Sequence, residues 1–243
     1  MTFKGKTFVL TGGAGGLGRV TAKRLVAEGA QVFLIDIAED RLNSVAKELN
    51  APEQVGTFVS DLSTPEKCAE ALDAVGRPIY GLIHYAGIMR TDVGTPQENR
   101  EVFDATIASN LTSAFDVANA FEGRHVTNEP ARFVLISSMA FRRGAFDRAA
   151  YSAAKGGLVG LVRAFARRWG GVVNVNGLAP GIILTDMPKD VIAERGDQLL
   201  REIPMKRFGE PEETASVALF LCGPDSTYVT SQIINVDGGA FNT

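Results

Sequence analysis

Tyr151-Ser152-Ala153-Ala154-Lys155 sets a phenol and an ammonium four residues apart, on one face of any helix that contains them. An ammonium so placed favours the phenolate, so the spacing predicts a tyrosine pKa lowered towards neutral pH. A tyrosine tuned in this way can exchange a proton with an alcohol or carbonyl oxygen. A surface Tyr and Lys on an ordinary helix fit the same spacing, and the pair alone does not separate the two. Other reactive groups are few. His84 and His125 are isolated, and Cys68 and Cys222 lack metal-ligand spacing. A zinc site or His-centred triad has little material, so an enzyme built on this chain needs an organic cofactor or a different acid–base group.

A glycine cluster offers a place for such a cofactor. Thr11-Gly12-Gly13-Ala14-Gly15-Gly16-Leu17-Gly18 follows the apolar run from Lys6 to Leu10 and opens a helical pattern that ends at Gly29. Gly13, Gly15 and Gly18 fit the general dinucleotide fingerprint. Gly12, Gly16 and Gly18 behind Thr11 fit a wider T-G-x-x-x-G-x-G spacing. Missing side chains let backbone approach a pyrophosphate, which a helix N-terminus attracts; a tight structural turn is the alternative. Asp36 closes the second apolar run, eighteen residues past Gly18. Its carboxylate can accept hydrogen bonds from ribose hydroxyls and would repel a 2′-phosphate. No Arg or Lys stands at Gly15 or Ile37 to compensate, although Arg19 and Arg41 are nearby in sequence. The pattern favours NAD over NADP. Asp61-Leu62, past the third run, caps the next helix or lies beside the adenine.

These groups need elements to hold them. Apolar runs at Gln31–Asp36, Val55–Ser60, Tyr80–Tyr85, Phe133–Ser137, Val172–Leu178 and Ile233–Val236 alternate with helical patterns. One helix starts at Thr64-Pro65-Glu66, two cover Gln97–Asn110 and Leu111–Phe121, and one spans Ala149–Trp169. Strands apolar on both faces and alternating with helices predict one doubly wound parallel sheet covered on both sides. At 243 residues and 45% apolar content, the chain can bury one core. A net charge of −3 supplies no broad positive field for nucleic acid. No run is apolar enough to cross a membrane, and Met1 to Gly5 lacks signal-peptide architecture, so a cytoplasmic location with reduced cysteines is expected.

With the glycine loop and the Tyr-Lys pair both placed, the chain resembles the short-chain dehydrogenase/reductase family nearly end to end. Ser138 lies thirteen residues before Tyr151, and Asn110 falls in the helical region upstream. Pro180-Gly181 with Thr185, and Val236-Asp237-Gly238-Gly239, follow in the family's order. The resemblance implies a single-domain Rossmann-like sheet of about seven strands in the order 3-2-1-4-5-6-7. It implies Tyr151 as general acid/base, Lys155 on the nicotinamide ribose, Ser138 on the substrate oxygen, and Asn110 holding a water that links Lys155 to solvent. Thr185 would bind the carboxamide. Leu17, Ile37, Ala86, Gly87 and Ile183 join the expected cofactor contacts. Where the family usually shows Asn-Asn-Ala-Gly, this chain has His84-Tyr85-Ala86-Gly87, and His84 reads as structural. The segment from Glu66 to Gly81 looks several residues shorter than usual.

Residues 185 to 208 would form a substrate lid, opened by Asp186, Met187 and Pro188, with Leu199, Leu200 and Ile203 on its apolar face. Met89, Met139, Phe141, Phe146 and Leu184 are candidate pocket walls. Arg142-Arg143 either attract an anionic substrate or form a solvated loop pair. The resemblance also implies a homotetramer. The expected activity is an NAD-dependent alcohol dehydrogenase or carbonyl reductase acting on a small alcohol or ketone. An NADP-dependent reductase of 3-oxoacyl thioesters and a non-catalytic NAD-sensing regulator are the alternatives.

Overall fold

The computed structural model describes residues 3–241; Met1, Thr2, Asn242 and Thr243 lie outside the described residues. Seven parallel strands form one sheet: β1 (Thr7–Thr11), β2 (Gln31–Asp36), β3 (Val55–Val59), β4 (Gly81–His84), β5 (Ala131–Ile136), β6 (Val173–Pro180) and β7 (Ile233–Val236). Their order is 3-2-1-4-5-6-7, as the family resemblance implies. β1, β4 and β5 are buried along their whole length, which is why they read as unbroken apolar runs; β3 and β7, at the edges, are partly exposed.

Helices cover both faces. α1 (Gly16–Ala27), α2 (Glu39–Leu49) and α9 (Pro211–Cys222) pack on one side, over Phe8, Leu10, Leu34 and Val134. α3 (Pro65–Asp73), α5 (Ser113–Phe121) and α7 (Ala149–Arg168) pack on the other, over Val9, Leu82, Phe133 and Val175. Successive residues of β5 serve opposite layers, Phe133 one and Val134 the other. Phe121, Phe133, Phe165 and Trp169 anchor the second layer, with Phe165 and Trp169 stacked at 4.5 Å. Burying a large apolar side chain contributes about 1.5–3 kcal/mol relative to exposing it. Cys68 and Cys222 are buried and unpaired, and burial pushes both thiols up to about 12.

Local rules explain where elements start. Thr64, not Asp61, caps α3: its hydroxyl accepts from the Lys67 N–H at 3.3 Å. Asp61 accepts instead from the Ser63 N–H and from Lys67 Nζ, which holds its carboxyl down at about 2. α4 (Pro96–Ile107) begins with a capping box between Thr95 and Glu98. α4 and α5 are joined through a π-helical turn, Ala108–Thr112, rather than separated by a break. A short α6 (Ala140–Arg143) and a kinked α8 (Lys189–Glu202), with Arg195 outside helical geometry, complete the set.

His84 and Tyr85 have structural partners. His84 Nδ1 pairs with the Thr11 hydroxyl at 2.8 Å, tying β4 to β1. Thr21 donates to the Leu17 carbonyl, so it is the Tyr85 hydroxyl that donates to Thr21 at 2.8 Å. His84 is 1% exposed, and burial first, then the Lys155 charge, lowers its pKa to about 3. A histidine buried neutral supports the fold above its ordinary pKa of 6.5, and that support is lost as pH falls towards 3. From pH 7 to pH 5 the loss amounts to about 2 kcal/mol. His84→Asn should therefore lose less stability than the natural chain across that interval in urea titrations; equal losses would show that His84 is not held neutral.

Candidate active site

All seven strands are parallel, so their C-terminal ends share one edge, where crevices form in such sheets. α7 brings Tyr151 and Lys155 to that edge at the end of β5, with Tyr151 8% and Lys155 5% exposed. Lys155 Nζ donates to the Ile136 carbonyl at 2.9 Å and stands 5.4 Å from the centre of the Tyr151 ring. Ser137 ties the helix to the strand by donating to the Lys155 carbonyl at 2.8 Å. Ser138, next along, accepts from the Ala140 N–H at 3.2 Å and hydrogen-bonds the Tyr151 phenol.

The tyrosine's acidity runs opposite to expectation. Burial raises the Tyr151 pKa, outweighing the Ser138 hydrogen bond and the Arg148 charge, which lower it. Lys155 is turned to the Ile136 carbonyl, and burial brings its own pKa down from 10.5 to about 8.

Asn110 sits in the π-helical turn and is 1% exposed. Its amide nitrogen donates to the Ile88 and Thr106 carbonyls, both at 2.9 Å, while Oδ1 has no partner among the described residues. A Cβ on Gly87 would collide with Oδ1 and lie 3.6 Å from Lys155 Nζ. Only glycine leaves that space between amide and ammonium.

The nucleotide-side residues form a continuous wall. Gly12 has φ +63, and a Cβ there would lie 2.7 Å from the Ala86 nitrogen. Asp36 Oδ2 accepts from the Ala14 N–H and Oδ1 from the Ala38 N–H, both at 3.1 Å, which locks the carboxylate to the glycine loop. Gly15 precedes α1 without a side-chain cap, so the first-turn amides of Gly16, Leu17 and Gly18 are left to an anion. A Cβ on Gly16 would press on the Thr185 methyl at 2.7 Å, and one on Gly18 on the Gly12 carbonyl. These bare surfaces, the uncapped helix and the unpartnered Asn110 oxygen fit a dinucleotide. Arg19 is drawn away to Glu48 at 2.6 Å. Asp186, held below the usual carboxylate range chiefly by Lys189, also feels Arg41. Ile37 is exposed, and Leu62 is buried in the core with φ +51.

A cavity of about 580 Å³ opens beside Tyr151. Leu17, Gly87, Pro180, Gly181, Ile183 and Thr185 line it, and so do Met89, Met139, Phe146 and Met187. Gly12, Gly15, Gly16, Gly18, Asp36, Ile37, Asp61, Leu62, Ala86 and Asn110 do not. Leu184 and Phe141 are absent from the wall too, Leu184 being 44% exposed. Arg142 stacks on Phe141 outside the cavity, and Arg143, on its wall, pairs with Glu202 at 2.5 Å. Leu199 of α8 reaches the wall and Ile203 is buried, but no residue of α8 itself is fully buried. Asp147, Arg148 and Arg195, which sequence reasoning missed, also line it.

Comparison with known proteins bears on this arrangement. A family model described as enoyl-(acyl carrier protein) reductase matches residues 12–240. The 3-oxoacyl-(acyl-carrier-protein) reductase of Thermotoga maritima is 34% identical over 98% of this chain and 99% of that protein. The acetoacetyl-CoA reductase of Synechocystis is 35% identical over 96% of this chain and 95% of its own. The crystal structure of a short-chain dehydrogenase/reductase (glucose/ribitol dehydrogenase) from Brucella melitensis superposes with a TM-score of 0.94 at 33% identity, covering all of both chains. The chain belongs to the short-chain dehydrogenase/reductase family. It is accordingly an oxidoreductase, of a family that uses a nicotinamide cofactor.

α7, which carries the family's Tyr-Lys pair, has its N-terminus fixed from afar. Asp92 Oδ1 accepts from the Ala149 N–H at 3.1 Å, and Oδ2 from the Ala150 N–H at 2.6 Å. The cap lies 57 residues upstream, outside any local capping pattern. Asp92→Ala should destabilise the fold by about 1 kcal/mol in denaturant titration. A change of under a few tenths would deny Asp92 this task.

Lys155 makes a second prediction. Its folded pKa lies below 10.5, so the protonated chain is penalised at neutral pH and relieved as pH rises from 8 towards 10.5. Between pH 7 and 9.5 the relief is about 2 kcal/mol. Urea titrations should show the natural chain gaining that much relative to Lys155→Met; parallel curves would mean that Lys155 is not desolvated.

Proposed function

We propose that this chain is an NAD(H)-dependent oxidoreductase that interconverts a secondary alcohol and a ketone. The observation that supports it best is the convergence of Tyr151, Ser138 and Lys155 on one cavity that Leu17, at the start of α1, also lines. Nicotinamide dinucleotide, when bound, accepts or supplies the hydride. In the oxidative direction the alcohol carbon loses hydrogen with both bonding electrons, and the hydroxyl proton passes to Tyr151 Oη. Ser138 donates to the substrate oxygen and stabilises the charge developing there. Lys155 and Arg148 place positive charge beside the phenol, which favours the phenolate when Tyr151 gives up its proton. Asn110 Oδ1, facing Lys155 Nζ across Gly87, is placed to hold a water that returns the proton to solvent.

Asp36 is the reason for NAD. Its carboxylate keeps acceptor capacity beyond its two backbone bonds, enough for ribose hydroxyls, and opposes a 2′-phosphate. The names of the two relatives, together with Arg41 near the lid, favour a second reading, an NADP-dependent reductase of 3-oxoacyl thioesters. We further read residues 185–208 as a lid, and the α4–α5 face with Phe103 and Phe115 at its surface as a contact of a homotetramer.

Two measurements test the reading. NAD should bind at least about tenfold more tightly than NADP, and Asp36→Ala should narrow that gap; tighter NADP binding would sink the Asp36 argument. Tyr151→Phe should lower turnover of any accepted alcohol by about 10²-fold or more while leaving dinucleotide affinity unchanged. Undiminished turnover would remove Tyr151 from the chemistry.

A further inference from the structure

Arg148 is a deeply buried cation with half of its fork unused. It is 8% exposed, lines the cavity, and precedes Tyr151 by three residues on the same helix entry. Its Nη1 donates to both oxygens of Asp147 at 2.7 Å. Nε and Nη2 have no protein partner among the described residues. From the lid side, Arg195 reaches the same Asp147 at 3.2 Å, with its guanidinium 4.8 Å from the Phe146 ring centre. Arg195 also lines the cavity.

Two guanidinium groups share one carboxylate on a cavity wall that includes Met89, Met139, Ile183 and Leu199, while Asp92, on the Ala149 and Ala150 amides, lies outside that wall. Arg143 is matched by Glu202. The planar edge formed by Nε and Nη2, on the cavity side, suits a carboxylate in two parallel bonds. A ketone offers that edge nothing beyond the oxygen that reacts. A thioester offers one neutral acceptor.

Resting on the proposed alcohol–ketone chemistry, we infer that the substrate is an acid, a short hydroxy acid or oxo acid whose carboxylate seats on Arg148, with Arg195 closing over it from α8. The acid is short because Arg148 stands three residues before Tyr151 at the entry to the same helix and both line the cavity, so a carboxylate on Arg148 lies close to the reacting oxygen. The anion site suggested by Arg142-Arg143 in the sequence thus moves to two arginines on either side of the cavity.

Calorimetric titration of the chain, loaded with its nicotinamide dinucleotide, provides the test. The probes are lactate and 3-hydroxybutyrate, their methyl esters, and the 3-hydroxybutyryl thioester of N-acetylcysteamine. At least one acid should bind about tenfold or more tightly than its ester and than the thioester. Arg148→Gln should abolish the preference while ester affinity stays unchanged, and Arg148→Lys should restore only part of it. Should Arg148→Gln fail to fold, Arg195→Gln, nearer the solvent, is expected to lower acid affinity several-fold and leave the ester alone. Esters or thioester binding as tightly as the acids, or variants weakening all probes alike, would overturn the inference. NADH absorbance with neutral secondary alcohols reports separately on hydride transfer, so a failure of the acid preference leaves that reading intact.

Discussion

An ammonium held almost out of water is the constraint around which this edge of the sheet is built. Lys155 cannot keep its charge in an apolar layer without oxygen nearby. The Ile136 carbonyl at the end of β5 supplies it, and Asn110 Oδ1 stands across Gly87. Each neighbour then acquires a requirement. Gly87 must lack a side chain, Asn110 is turned inward in the π-helical turn, and His84, neutral chiefly through its burial, is held further in that form by the Lys155 charge. Remove the ammonium and these features have no common cause. The fold tolerates a destabilising charge here, which is the usual mark of a site kept for chemistry.

The crevice divides into two electrostatic halves. At the glycine loop, one carboxylate, Asp36, is held by the Ala14 and Ala38 amides beside the uncapped start of α1. In the cavity, Arg148 and Arg195 share the Asp147 carboxylate. Tyr151 lies on the cavity side of that boundary, within reach of the Arg148 charge. α8 contributes to the second half without a buried core of its own; Arg195–Asp147 and Arg143–Glu202 are the ion pairs that join it to the loop before α7. Ion pairs that hold a helix with little apolar burial make contacts that can reopen at small cost.

Much of this was legible in sequence because it is written in local periodicity. The doubly wound sheet followed from alternating apolar runs and its strand order from the family resemblance, and the glycine loop, Asp36, Ser138, Tyr151 and Lys155 all reach one edge of the sheet. What escaped was long-range. Asp92 caps α7 from 57 residues away, so no capping pattern near Ala149 exists to be read. The π-helical turn changes hydrogen-bond register without changing the apolar pattern, so Asn110 looked like the end of a helix. Asp61 looked like a cap because acids often cap, but Thr64 lies nearer the first turn. Arg142 and Arg143 were conspicuous as a pair, whereas Arg148 and Arg195 meet only through the fold.

The reversed acidity of Tyr151 carries the same lesson into the chemistry. Spacing alone argues from the nearest charge and yields a depressed pKa. Burial argues from the missing water, and in the folded chain it prevails. A neutral phenol is the form needed to donate a proton to a carbonyl oxygen. Oxidation needs the phenolate, which is favoured by the Ser138 hydrogen bond and by charge brought next to the ring. Lys155 gives such charge below about pH 8, and Arg148 gives it at every pH. A substrate carboxylate seated on Arg148 would neutralise that second source and hold the phenol in its protonated form.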